Sequence, residues 1–249
     1  AAYGLLAHRD PAFAQAAYRN TKLMERCTFD GLLYGGPDYR RHGELPCIHH
    51  TISHGNGLAA ALDAGIESYT VPASLPCDRP EQKIFYFPEI DTYKVSLGKW
   101  RATVTGYDFW VDRGHASGGT MTLLWHEDVG ALLLSSVVDY RMLEPFNMQL
   151  TLKKGSHRPL TPRLEKMEGG KRYSFCYDTG AKIEAEQQEG RIRIASCARL
   201  VSLEQEELQN PVFGEITYTI EEGSVQIEVQ ISGAVKGTRL VIPVIADRA

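Results

Sequence analysis

The hydrophobic period of this chain changes once, near residue 83, and that change limits the folds open to it. Beyond it, β-branched and aromatic residues recur in short runs at 84–87, 93–97, 100–104, 120–125 and 131–138. The pattern resumes at 171–177, 182–188, 191–200, 215–221, 224–232 and 238–245. Alternation of period two marks strands with one buried face, and Pro88, Gly98, Gly180, Gly190 and Gly223 supply the turns. Many short strands joined by polar turns predict a large antiparallel β-sandwich over residues 83–249. No fixed-length repeat supports a propeller.

Residues 1–66 have a helical pattern instead. Asp10 and Pro11 form a start signal, an N-cap followed by proline at the first helical position. Good helix formers follow from 12 to 26, and the glycines at 31, 35 and 36 break the pattern. A second helix is predicted from about 46 to 64, with Gly65 just past its end. The two helices form a hairpin. Residues 67–82 contain three prolines and no periodicity, so they are expected to be a linker. The expected class is α+β, mainly β: a helical segment (1–66), a linker (67–82) and an antiparallel sandwich (83–249).

The totals exclude several functions. A formal charge of −4 argues against a broad nucleic-acid surface, which needs a basic face. No run approaches the roughly 20 apolar residues of a membrane helix, so no membrane partner is expected. The opening Ala-Ala-Tyr-Gly-Leu-Leu-Ala lacks the basic start of a signal peptide and reads as helix interior, as in a processed product or part of something longer. The five cysteines have no C-x-x-C spacing and are expected to be mostly small buried residues; exported protein would leave room for one or two disulfides. G-x-S-x-G, P-loop and dinucleotide fingerprints are all missing from the sequence.

Chemistry-bearing residues concentrate in 34–63. Four of the eight histidines fall there (His42, His49, His50, His54), together with Tyr34, Tyr39, Arg40 and Arg41. His50 and His54 are four apart and share a helical face, while His49 points about 100° away. Such a pair suits acid–base work or substrate anchoring, capping within a core, or a divalent metal. The metal reading is weak because no third ligand has suitable spacing, and no cofactor is expected. Positive charge beside a phenol favours the phenolate, which can remove a carbon-bound proton, and paired arginines can grip a carboxylate. In the strand region Trp100, Tyr107, Phe109 and Trp110 cluster ahead of Arg113 and His115. Half of an alternating aromatic set is core, and the other half is free to stack on sugar rings.

The order of these pieces carries a resemblance. Helices with L-Y-G-G-P-D-Y and P-C-I-H-H-T-I-S-H, a linker, and strands with G-K-W-R-A-T-V-T-G-Y-D-F resemble the heparinase II/III-type polysaccharide lyases. The resemblance covers nearly the whole chain. It implies an incomplete α/α toroid, of which 1–66 would be the last hairpin, joined to a β super-sandwich. It also implies β-elimination on a uronic-acid polysaccharide without a cofactor, in a secreted or periplasmic protein. Tyr34, Tyr39, His49 and His50 would be catalytic, and Arg40, Arg41, His54, Tyr107, Trp110, Arg113 and His115 would hold substrate. An acidic polysaccharide is then the expected partner, with a further helical region or a second copy completing the cleft. The alternative is a non-catalytic carbohydrate-binding or structural sandwich.

Overall fold

The computed structural model describes residues 2–43, 45–72, 74–75, 78, 81–106, 116–135 and 160–245. They divide into two compact units, one up to Asp78 and one from Glu81 onward.

The first unit is built on three helices, α1 (Ala2–Leu6), α2 (Pro11–Arg26) and α3 (Ile48–Asp63). The start signal works as the sequence indicates: the Asp10 carboxylate accepts the Ala12 N–H at 2.8 Å, with Pro11 opening the helix. Helix α1 lies so close to α3 that a Cβ on Gly4 would sit 2.5 Å from the Ala61 Cβ. Only glycine permits that approach. Two short strands, β1 (Thr28–Phe29) and β2 (Leu32–Leu33), follow α2 and pair antiparallel. Their turn is Asp30-Gly31, with φ of 52° and 75°, the left-handed pair that a two-residue hairpin requires. The sequence reading treated Gly31 only as a helix breaker and missed this hairpin. The helices also border an apolar cleft of about 460 Å³ lined by Tyr3, Met24, Leu58 and Leu62 among others. None of the candidate histidines or arginines lines it.

Among the described residues every strand pair of the second unit is antiparallel. One sheet takes β3 (Lys83–Phe87), β4 (Thr92–Leu97), β5 (Trp100–Thr105), β6 (Thr120–His126) and β7 (Gly130–Leu134) in chain order. A second takes β10 (Lys182–Gln188), β11 (Arg191–Arg199), β12 (Val212–Glu221) and β13 (Ser224–Gly233). Their inward residues form one core, including Val95, Val104 and Met121 from the first sheet and Ile192, Ile194 and Tyr218 from the second. The Met121 N–H donates to the Tyr218 hydroxyl at 3.2 Å between the sheets, and burial raises the pKa of that phenol. Gly119 has φ of 72°, and a Cβ there would stand 2.1 Å from the Ser196 side chain, so the sheets close over it.

A smaller sheet orders β14 (Arg239–Val241), β8 (Arg163–Glu168) and β9 (Lys171–Ser174). The sequence reading did not assign β8, because R-L-E-K-M-E places charges where a strand should point inward. The structure resolves this by pairing them. Glu165 is 1% exposed and meets the Arg163 Nε and the Arg239 Nε at 2.7 Å each, with the Arg172 Nε at 3.5 Å. Burial pushes its pKa up, but the hydrogen bonds and charges of Arg163 and Arg239 outweigh burial and hold it below the ordinary glutamate value.

The chain is therefore α+β and mainly β, with N-terminal helices before the sandwich. The predicted strand at 171–177 stops at Ser174 and turns into a 3-10 helix (Phe175–Tyr177). The last predicted strand shortens to β14. Among the described residues no helix is long and apolar enough to cross a membrane.

Candidate active site

The first unit holds the loop 34–46 on a closed base. The Tyr34 N–H donates to the Cys27 carbonyl at 2.9 Å, and the Cys47 N–H donates to the Leu33 carbonyl at 3.0 Å. Thr51 locks the second contact. Its hydroxyl donates to the Cys47 carbonyl at 2.7 Å and accepts the Leu33 N–H at 2.9 Å. One side chain thus ties β2 to the start of α3, although no motif marks it. Thr51→Val keeps the shape but loses both bonds. Chemical denaturation should show a loss of about 1–3 kcal/mol, the cost of the half-buried Leu33 N–H left without a protein partner, since the Cys47 carbonyl keeps the Thr51 N–H at 2.9 Å.

Helix α3 begins on an unusual cap. Cys47 is buried and extended, and its Sγ accepts the His50 N–H at 3.3 Å. This fixes where the first turn presents its histidines. The His49 and His50 ring centroids are 5.8 Å apart, and those of His50 and His54 are 5.9 Å apart, edge to face. The His54 Nδ1 lies 2.8 Å from the His50 carbonyl. A carbonyl only accepts, so Nδ1 carries the proton, and Nε2 is the nitrogen left to exchange one. His50 is half-buried, while His49 and His54 are exposed. The spacing argument for a shared His50–His54 face is borne out in the rings themselves.

The tyrosines and arginines are arranged around Phe29, which the sequence reading overlooked. Tyr34 meets its ring edge-on at 5.6 Å, and the Arg40 guanidinium stands over its face at 5.3 Å. Arg40 also lies 3.9 Å from the Asp30 carboxylate, and Arg41 lies 3.3 Å from Asp38. Both pairs are solvent-exposed, so they are weak enough for another carboxylate to compete. Tyr39 opens a 3-10 turn (Tyr39–His42), and its ring rests on the bare backbone of the glycine pair. A Cβ would come within 2.6 Å of that ring at Gly35 and 3.0 Å at Gly36.

The structure thus groups His49, His50 and His54 on α3, and groups Tyr34 with Arg40 on Phe29. Among the described residues no hydrogen bond or ring contact joins the two groups, and neither tyrosine hydroxyl is hydrogen-bonded. Tyr107, Trp110, Arg113 and His115 lie outside the described residues. Among those described, no three His, Cys, Asp or Glu side chains converge as a metal-ligand set. Cys27, Cys47 and Cys176 are buried free thiols, and Cys197 is an exposed one. Burial pushes the Cys176 thiol up to about 12, which keeps it inert at neutral pH.

What this arrangement offers is a set of imidazoles for proton exchange, next to a loop with phenols and exposed guanidinium groups. The first turn of α3 adds backbone N–H groups that favour an anion.

Residues 84–249 match the family profile described as ulvan lyase C-terminal domain, and residues 1–79 match the ulvan lyase N-terminal domain. A relative named broad-specificity ulvan lyase, from Formosa agariphila, is 37% identical over 204 residues. The alignment takes in 80% of this chain and 32% of the relative, so the chain spans about a third of that protein's length. No solved structure matches. With both profiles matched in order along almost the whole sequence, the chain belongs to the ulvan lyase family of polysaccharide lyases.

Proposed function

We propose that this chain acts on an acidic, uronic-acid-containing polysaccharide of the ulvan type and cleaves it by β-elimination. The observation that carries the reading is the fixed histidine series on α3, set beside a loop with Arg40 and Arg41, in a chain similar to an ulvan lyase. The guanidinium groups hold the uronate carboxylate and stabilise the negative charge that develops on it. His50, or a tyrosine of the loop, removes the C5 proton. The electron pair of that C–H bond forms the C4–C5 double bond, and the C4–O bond breaks. A second group returns a proton to the departing oxygen. His49, His54, Tyr34 and Tyr39 are the candidates for it. No water is consumed, and one product end is an unsaturated uronate.

Three finer readings go with this proposal. The helices of residues 1–66 form part of an α/α toroid of the heparinase II/III type, followed by a linker at 67–82 and the sandwich from 83. Tyr107, Trp110, Arg113 and His115 add substrate contacts from the sandwich. The protein works outside the cytoplasm, where polymeric glycans are met.

The test is optical. Ulvan incubated with the purified chain should gain absorbance at about 232 nm, from the conjugated product of an elimination driven by general acid–base catalysis. A chain that binds ulvan yet yields no such product sinks the reading. It would favour the alternative, a non-catalytic binding module, which the separation of the tyrosine and histidine groups also supports.

A further inference from the structure

The two large sheets of the second unit share a core but have opposite outer faces. In the sheet of β10 to β13 the outward positions are charge-balanced. Glu184, Glu186, Glu215, Glu221 and Glu228 stand among Lys182, Arg191, Arg193 and Arg199, with Arg193 3.9 Å from Glu186. That is an ordinary solvated face.

The sheet of β3 to β7 differs. Val95, Leu97, Ala102 and Val104 point into the core, so alternation turns Lys94, Ser96, Arg101 and Thr103 outward. The register then pairs Phe85 with Lys94 across β3 and β4, and Arg101 with Trp125 across β5 and β6. Phe87 lies two residues beyond Phe85 on the same side. Among the described residues the outward positions of these five strands contain no aspartate or glutamate. Phe85 is 48% exposed and Phe87 is 42% exposed, adjacent on one face as in an apolar interaction patch. Lys94 is exposed as well.

From these positions we infer that the outer face of the β3–β7 sheet is a glycan-binding surface carried by the second unit. Its occupant is an acidic polysaccharide chain, an assignment that rests on the substrate class proposed above. Phe85 and Trp125 each have a cation as the direct cross-strand neighbour, with Cβ atoms about 5 Å apart, while Phe87 lies opposite Thr92. A uronic-acid unit presents the same pair of features: an apolar C–H face on the ring and a carboxylate beside it. The ring stacks on the aromatic, and the carboxylate takes a charge-assisted hydrogen bond from the exposed Lys94. Half-buried Arg101, whose Nη1 donates to the Gly98 and Trp100 carbonyls, adds positive charge. Phe85 and Trp125 stand three strand spacings apart, about 14 Å, so the face accommodates a run of units rather than one. The positive, carboxylate-free register is complementary to a polyanion and repels nothing in it.

The test uses the intact chain, ulvan as probe and dextran as the neutral control. Affinity electrophoresis measures binding and sedimentation measures association. Lys94→Glu and Phe85→Ala both alter exposed side chains, so circular dichroism should be unchanged. Lys94→Glu should weaken ulvan binding about tenfold or more, as expected for losing a charge-assisted bond and adding a repulsion. Phe85→Ala should weaken it by a smaller factor, and the wild type should retain ulvan far more than dextran. Unchanged ulvan affinity in both variants overturns the inference. So does equal retention of dextran, or an effect of the variants on self-association alone, which would make this face a contact between copies. Binding lost in Lys94→Glu from a chain that forms no 232 nm product leaves this surface standing and removes the lyase reading. Product formed with the face variants binding normally does the reverse.

Discussion

His50→Gln should lower the rate of unsaturated product formation from ulvan by about 10²–10⁴-fold, the range for losing a positioned acid–base group. His50 is the histidine to choose because of how α3 begins. Its own N–H is held by the Cys47 Sγ, and its ring lies between those of His49 and His54. His54 has one nitrogen committed to the His50 carbonyl, so only Nε2 remains for exchange. No such bond ties the His50 ring among the described residues. Glutamine keeps a hydrogen-bonding side chain of similar reach but cannot take up a proton near neutral pH. The loss should therefore appear in kcat, with KM for ulvan little changed. A loss in KM alone would make His50 a substrate anchor. Full activity in His50→Gln, with the loss transferred to Tyr39→Phe, would move the base to the loop. Free imidazole added to a His50→Gly variant gives an independent readout, because restored turnover requires a proton acceptor and not a structural part.

Much of this framework is legible before any coordinates, and the exceptions share a cause. Asp10-Pro11 starts α2 through local backbone chemistry alone, and β10 falls on its predicted residues because alternation and flanking glycines agree there. Signals of this kind need only near neighbours in sequence. Strand β8 escaped because Arg163 and Glu165 are tolerated inside only through partners from β9 and β14, the latter 74 residues away from Glu165. Phe29 escaped for the same reason. It lies outside the cluster of polar residues, and its role is to seat Tyr34 on its edge and Arg40 on its face. Residue types at 34–54 supply the groups for the proposed acid–base and anion-binding chemistry. They did not announce that Arg40 and Arg41 would face Asp30 and Asp38, or that Thr51 would close the loop, since those depend on how the Asp30-Gly31 hairpin turns the chain.

The largest stability effect should come from Glu165→Gln, which should cost about 3–5 kcal/mol at pH 7 by urea unfolding, as when one partner of a buried ion pair is removed. The carboxylate is buried and has Arg163, itself nearly buried, on one oxygen and the largely exposed Arg239 on the other. Once the charge is gone, Arg239 can swing toward water. Arg163 is held in the interior, and the loss of its carboxylate partner dominates the cost. Replacing both, as Glu165→Leu with Arg163→Met, should recover much of the stability, because an apolar pair needs no compensation. The pH dependence follows from the sign of the shift. Glu165 titrates lower folded than unfolded, so its contribution is complete above the unfolded value of about 4.3 and is lost as pH falls through the folded one. Wild type and Glu165→Gln should therefore converge in unfolding midpoint as the solution is made strongly acidic, the wild type losing more. A gap between them that stays constant from neutral to strongly acidic pH would show that the penalty comes from packing of the amide and not from the carboxylate charge.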